Sequence, residues 1–273
     1  MNAIFLMTGR VLRRALAGLI ALLIGIAIFE FVQPLVIAAF GGARGLNAMM
    51  EYIPPALRVF TRTRPEFMAL SGLPGYLSLG FTHPVYIVLT GAAIVGFTAQ
   101  SLAGEMDRGI IQTALARPIS RPAVYASRTI GVAVIALLLT VAGPAGMIAG
   151  ILYARPQGEF AYANLVAVAL NGLALFWAIG GLTLWGSAVA SSAGRVTGWA
   201  LGLLVVSYFV DYFSGIWEPL QAIEFLSLFD YYAPTDALVT GQVPTANIVT
   251  LGLVGAIACL AGLVVFTRRD LPV

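Results

Sequence analysis

From Thr245 to Thr267 the chain reads TANIVTLGLVGAIACLAGLVVFT, a run without one charged side chain. A helix of about 20 apolar residues crosses the hydrocarbon core of a bilayer, so this stretch is long enough to span. Five other runs match it: about Ala15 to Ala39, Pro84 to Ala103, Ala123 to Tyr153, Phe160 to Ala190 and Gly194 to Trp217. The first is interrupted late by Glu30, Gln33 and Pro34, and the third carries a Gly143-Pro144 step expected to kink it. Composition agrees. Of 273 residues, 60% are hydrophobic and 10% charged, with a mean hydropathy of +0.93, whereas soluble domains average about 45–50% apolar and about 25% charged. The expected fold is an all-α integral membrane protein, one domain over residues 1–273, with six transmembrane helices.

The letter counts exclude several chemistries. The chain has no lysine, so all 15 basic residues are arginines and no Walker A motif can be present. One cysteine, Cys259, and one histidine, His83, leave no internal disulfide, no cysteine-cluster metal site and no HExxH zinc site. Any protein-built metal centre would have to be made of carboxylates. An intramembrane enzyme would need a dyad or clustered carboxylates within the bilayer, yet Glu30 and Asp211 lie alone on separate runs. A secondary carrier would carry ionisable relays near the midplane, and none is seen. The sequence therefore predicts no catalytic residues, no metal and no cofactor in this chain.

Arginine placement gives direction. With the N-terminus inside, ten arginines and three acids fall in inner segments, against five arginines and nine acids outside or near the outer helix ends. The positive-inside bias then makes both termini cytoplasmic. The first apolar run is about 25 residues with no clean small-residue cleavage site, so it reads as a retained helix and not a signal peptide. Residues 1–14 set Ile4, Phe5, Val11 and Leu12 near Arg10, Arg13 and Arg14. They read as an amphipathic elbow on the inner leaflet or as a plain basic flank.

Between the second and third runs, residues 104–122 read GEMDRGIIQTALARPISRP. Ile110, Ile111, Ala114 and Leu115 recur at helical spacing, Gly109 precedes them and Pro118 ends them. Ser120 sits as a cap ahead of Pro122, which suits a first helical turn. A short helix is expected at the membrane surface, held between two long ones.

This loop, with its glutamate, glycine, short amphipathic helix, Arg117-Pro118-Ile119-Ser120-Arg121 and Arg128, resembles the ABC-2 type permeases, the membrane subunits of ATP-binding-cassette transporters. Phe266-Thr267-Arg268-Arg269-Asp270-Leu271 resembles their C-terminus, and residues 226–234 (LSLFDYYAP) also fit. Ile110 stands where the family often has Thr, and Arg128 where Lys is common. The resemblance implies a coupling helix that docks on a separate cytoplasmic ATPase subunit, which would carry ATP and Mg. It implies two ATPases and a second permease copy, as homodimer or with a paralogue, in a prokaryotic inner (cytoplasmic) membrane. Glu105, Gly109, Ile110, Ile111, Leu115, Arg117, Pro118 and Arg121 are the expected contact. Membrane lipid is the other partner these residues could serve, arginines holding headgroup phosphates. Sparse intramembrane charge favours a hydrophobic or amphipathic solute, exported; the alternatives are a permease that transmits force in an assembly or maturation system without a solute path, or an ATPase-independent membrane carrier.

Outside, residues 40–82 form a long loop, with Pro54-Pro55 opening an amphipathic helix and Gly72, Pro74 and Gly75 breaking the chain. Residues 216–244 are apolar but broken, and a re-entrant helical hairpin is expected, with Trp217, Tyr231 and Tyr232 at the interface. Glu30, Asn171, Tyr208, Asp211 and Tyr212 are candidates for a solute pathway. The plainer reading sends Glu30 and Asp211 to outer headgroups and Asn171 to a neighbouring helix. Gly198 and Gly202, four apart, are a candidate contact between two copies. No nucleic-acid partner is indicated.

Overall fold

A computed structural model describes residues 2–51, 65–116 and 119–269, and its regular elements are helices. In chain order these are α1 (Asn2–Ala39), α2 (Gly42–Glu51), α3 (Pro65–Thr82), α4 (Pro84–Ser101), α5 (Ala103–Asp107), α6 (Ile110–Leu115), α7 (Arg121–Ala154), α8 (Asn164–Val189), α9 (Ala193–Ser214), α10 (Glu218–Gln221), α11 (Pro234–Thr240) and α12 (Thr245–Arg268). Six of them, α1, α4, α7, α8, α9 and α12, are long and apolar enough to cross a membrane. Helices satisfy their own backbone groups, which is why apolar runs of this length fold so in lipid.

The ends follow local chemistry. Pro84 starts α4, and His83 Nδ1 accepts from Val85 N–H at 3.2 Å. Ser120 occupies the N-cap position of α7 ahead of Pro122, but its hydroxyl makes no capping bond there. Helix α7 runs unbroken through Gly143-Pro144. Helix α1 is also unbroken, so residues 2–14 are its first turns and not a separate in-plane elbow. No proline interrupts those turns. Its 38 residues make a rod of about 57 Å, well beyond a core of about 30 Å. Thr8 Oγ1 donates to Ser127 O at 3.0 Å and holds this overhang against α7.

Helix α8 lies at the centre, packed by α4, α7, α9, α11 and α12. Two seams are close because glycines remove the Cβ: Gly146 lies against the Ala27 carbonyl between α7 and α1, and Gly181 against Gly255 between α8 and α12. Among the described residues, nothing comes within 4 Å of where a Cβ on Gly198 or Gly202 would stand.

The opposite end from residue 2 is built from short pieces. Residues 52–64, with the helix expected after Pro54-Pro55, lie outside the described residues. The break expected at Gly72–Gly75 falls at Gly72, whose non-helical φ 61° and ψ −143° kink α3 into two helical pieces, the second running on through Pro74. Beyond α9 come the single turn of α10, a 3-10 turn at Glu224–Leu226, a turn over residues 228–231, then α11. Pro219 and Pro234 each sit in a first turn, and Gly241 closes α11 at φ 72°. Helix α11 packs between α3 and α8. Trp217 is exposed as an interface residue would be, whereas Tyr232 is buried and hydrogen-bonded to Tyr86.

Candidate functional site

The loop after α4 turns twice. Leu102 leaves helical geometry at φ −122°, ψ −66°, which separates α4 from α5. Gly109 then adopts φ 68°, a value open to glycine at little cost, and α6 follows. The two turns put Glu105 on the inner side of α5, 4% exposed.

Glu105 bonds to two helices at once. Its Oε1 accepts from Arg14 of α1 at 3.1 Å, and its Oε2 from Arg128 of α7 at 2.5 Å. Arg128 is itself 4% exposed and also donates to Ser127 Oγ at 3.0 Å. A buried ion pair does little for stability against an apolar alternative, but removing one partner strands a buried charge. The neighbours extend the set. Asp107 Oδ2 accepts from Ala193 N–H at 2.8 Å, at the start of α9, where a helix N-terminus favours an anion. Arg121 Nη1 donates to the carbonyl of Thr267 at 3.3 Å and of Arg269 at 2.6 Å. Arg269 in turn donates to the Ala188 carbonyl at 3.0 Å and to Ser191 Oγ at 2.5 Å. Five of the six spans are thereby joined by polar side chains at the arginine-rich end, and α4 runs on into α5, which carries Glu105 and Asp107.

Of the expected coupling residues, Glu105, Gly109, Ile110, Ile111, Leu115 and Arg121 fall in this one region. Arg117 and Pro118 lie outside the described residues. Ile111 is fully buried and Leu115 half-buried against the core, so α6 presents Ile111 to its own chain and offers a partner only its remaining surface. Arg121 reaches the end of α12 and not α6. Arg14, Arg128 and Asp107 were not read from the sequence as Glu105's partners or as a cap; their mates are far along the chain, and only the basic character of Arg14 and Arg128 was visible.

The expected pathway residues do not converge. Glu30 is fully buried, its carboxyl beside Gly80 of α3, where a Cβ would collide with it. Neither of its oxygens has a hydrogen-bond partner among the described residues. Asn171 is also fully buried: its amide donates to Tyr231 O at 3.0 Å and its carbonyl accepts from Ala233 N–H at 2.9 Å. It holds the turn ahead of α11 against α8. Tyr208 and Tyr212 do group, stacked at 6.2 Å, with Phe229 edge-on to Tyr208 at 5.7 Å. Tyr208 lines an apolar cleft of about 300 Å³ between α4 and α9, with Ile87, Val88, Gly91, Leu204 and Val205.

Asp211, Glu224 and Asp230 bring carboxylate oxygens within 4.8 Å of one another, a set able to ligate a metal ion, which the sequence did not reveal because the three are separated by the broken stretch. Ser214 Oγ donates to Glu224 Oε1 at 2.8 Å. Burial, and then the Glu224 charge, raise the Asp230 carboxyl above the ordinary range.

A comparison with curated proteins finds no match. The sequence model of the ABC-2 family transporter protein matches residues 66–271, from α3 to beyond α12. With that match over most of its length, and with six spans tied at one end around a short loop helix, the chain belongs to the ABC-2 transporter family, multi-pass membrane components of ABC transport systems.

Proposed function

We propose that this chain is the permease subunit of an ABC exporter, moved by a separate cytoplasmic ATPase. The arginine-rich end faces the cytoplasm of an inner membrane, in keeping with the charge bias. ATP and Mg bind on the partner. Force enters at α5–α6 and passes through Glu105 into α1 and α7 together, and through Asp107 into α9. The observation that carries this reading is the double bond of Glu105 to Arg14 and Arg128, since a loop fixed to two long helices cannot tilt without turning them.

Two copies form the working unit. The open faces of Gly198 and Gly202 on α9 allow close approach of a second backbone, and each copy contributes an α4–α9 cleft. The apolar lining supports a hydrophobic or amphipathic solute.

The test is co-purification of the ATPase with the full chain in detergent, followed by ATP hydrolysis of the complex. Ile110→Asp and Leu115→Asp should each abolish retention of the ATPase while the permease still elutes folded. Ile111→Asp serves as the folding control, because that side chain is fully buried. Failure of the wild-type chain to retain an ATPase, or full hydrolysis in both surface variants, sinks the reading.

A further inference from the structure

The arginine-rich end contains a cavity of about 450 Å³ between α1, α4 and the α5–α6 loop. Its walls are of two kinds. Val11, Ala15 and Phe97 are apolar, while Arg14, Glu105 and Arg108 carry charge. The charges do not balance. Glu105 is the single acid among the described lining residues, and its oxygens are already engaged by Arg14 and Arg128. Arg108 is exposed, yet it folds back over Gly104 and donates to Gln100 Oε1 at 3.2 Å. A Cβ on Gly104 would meet its Nη2 at 3.3 Å, so the glycine leaves room for that posture. The Arg14 side chain stays 60% exposed despite its ion pair. Along α1 on either side of this cavity, Phe5, Leu6, Leu16 and Ile20 are exposed apolar residues. A cationic recess therefore opens where a lipid-facing helix surface begins.

We propose that this recess binds the phosphate of an anionic membrane phospholipid between Arg14 and Arg108, with an acyl chain along Val11, Ala15 and Phe97. Guanidinium groups suit phosphate oxygens in geometry as well as charge, and basic residues at this depth attract anionic lipid. An acidic protein side chain would answer the arginines but leave the apolar half of the recess unfilled. A phospholipid satisfies both halves. Bound there, it would bridge the first turns of α1 to the root of α6, making the stiffness of the loop depend on the anionic lipid content of the leaflet. The inference rests on the arginine-rich end lying at a membrane surface, and not on the ATPase or the solute.

The experiment uses the full chain without its ATPase, in phosphatidylcholine nanodiscs with and without phosphatidylglycerol, and counts retained lipid by native mass spectrometry. Phosphatidylglycerol should be retained over phosphatidylcholine, and Arg108→Gln should reduce that preference by about fivefold, the effect of one basic residue near an anionic surface. Arg13→Gln removes an exposed arginine outside the recess and should leave the preference within about twofold. Equal retention of the two lipids, or equal losses in the two variants, overturns the proposal. A thermal shift given by inorganic phosphate and abolished in Arg108→Gln, with none from phosphatidylglycerol, would assign the recess to a soluble phosphate and also overturn it. Because no ATPase is present, loss of ATPase binding in the earlier test leaves this result readable.

Discussion

The two ends of the bundle are held by different chemistry. At the arginine-rich end, charged side chains reach between helices: Glu105 to Arg14 and Arg128, Asp107 to the start of α9, Arg121 and Arg269 to carbonyls across the bundle. At the other end neutral ties from side chain to backbone are prominent. Asn171 holds residues 231–233, Asn164 Nδ2 donates to Leu238 O at 2.8 Å, and Ser207 Oγ accepts from Leu228 N–H at 2.8 Å. Among the charges there are three acids gathered together, Asp211, Glu224 and Asp230. One end is thus a frame in which helices move as a set. The other is a group of short pieces, each fastened by a bond or two.

That contrast is broken most directly at Glu105. Glu105→Ala strands the buried Arg128 and should cost about 3–5 kcal/mol, read as a large fall in the melting temperature of the detergent-solubilised chain. Arg14→Gln touches the same carboxylate from an arm that is 60% exposed and should cost less than about 1 kcal/mol. Equal losses in the two variants would mean that burial does not grade this network. Asn171→Leu comes next. It leaves the Ala233 N–H and Tyr231 carbonyl without partners, a cost of about 1–3 kcal/mol. The loss should be local: amide exchange should speed up over residues 227–241 and stay unchanged in α5 and α6. Spread of that effect to the arginine-rich end would show the two ends to be one cooperative unit.

The smallest effect is at Asp230. Its folded carboxyl holds a proton more tightly than the unfolded one, through burial first and Glu224 second. Stability should therefore fall as pH rises from the ordinary carboxylate range through the raised one. Asp230→Asn should raise the melting temperature by about 1–2 °C at neutral pH, and the gain should vanish as the medium is acidified through that window. A gain that persists in acid would sink the assignment.

The membrane-spanning plan was legible because it depends on apolar length alone; five of the six runs appear as helices within a few residues of their expected ends, and the first extends back to Asn2 because its basic flank is helical too. The short helix α6 was legible from spacing, but not which side it turns inward. Six residues make under two turns, so Ile110 and Ile111 are equal in sequence, and only the third dimension buries one of them. The partners of Glu105 were hidden by distance, 91 residues to Arg14 and 23 to Arg128. The seam glycines Gly146 and Gly150 were invisible for another reason: in a chain with 30 glycines, no single one announces a close approach. Glu30 and Asn171 were rightly marked as polar groups inside spans, yet a polar letter in an apolar run does not say whether it faces a passage or a neighbour. For Asn171 the answer is a neighbour, the backbone of residues 231 and 233.

Asp107 bonds the first residue of α9, and α4 runs through Leu102 directly into the helix that carries Asp107. Both walls of the apolar cleft are therefore pinned within a few residues of each other at one extremity. Walls joined in this way part like the blades of shears held at the pivot: a given change of angle between them moves them least beside Asp107 and more with distance from it. Any widening by such a hinge is then greatest at the far mouth.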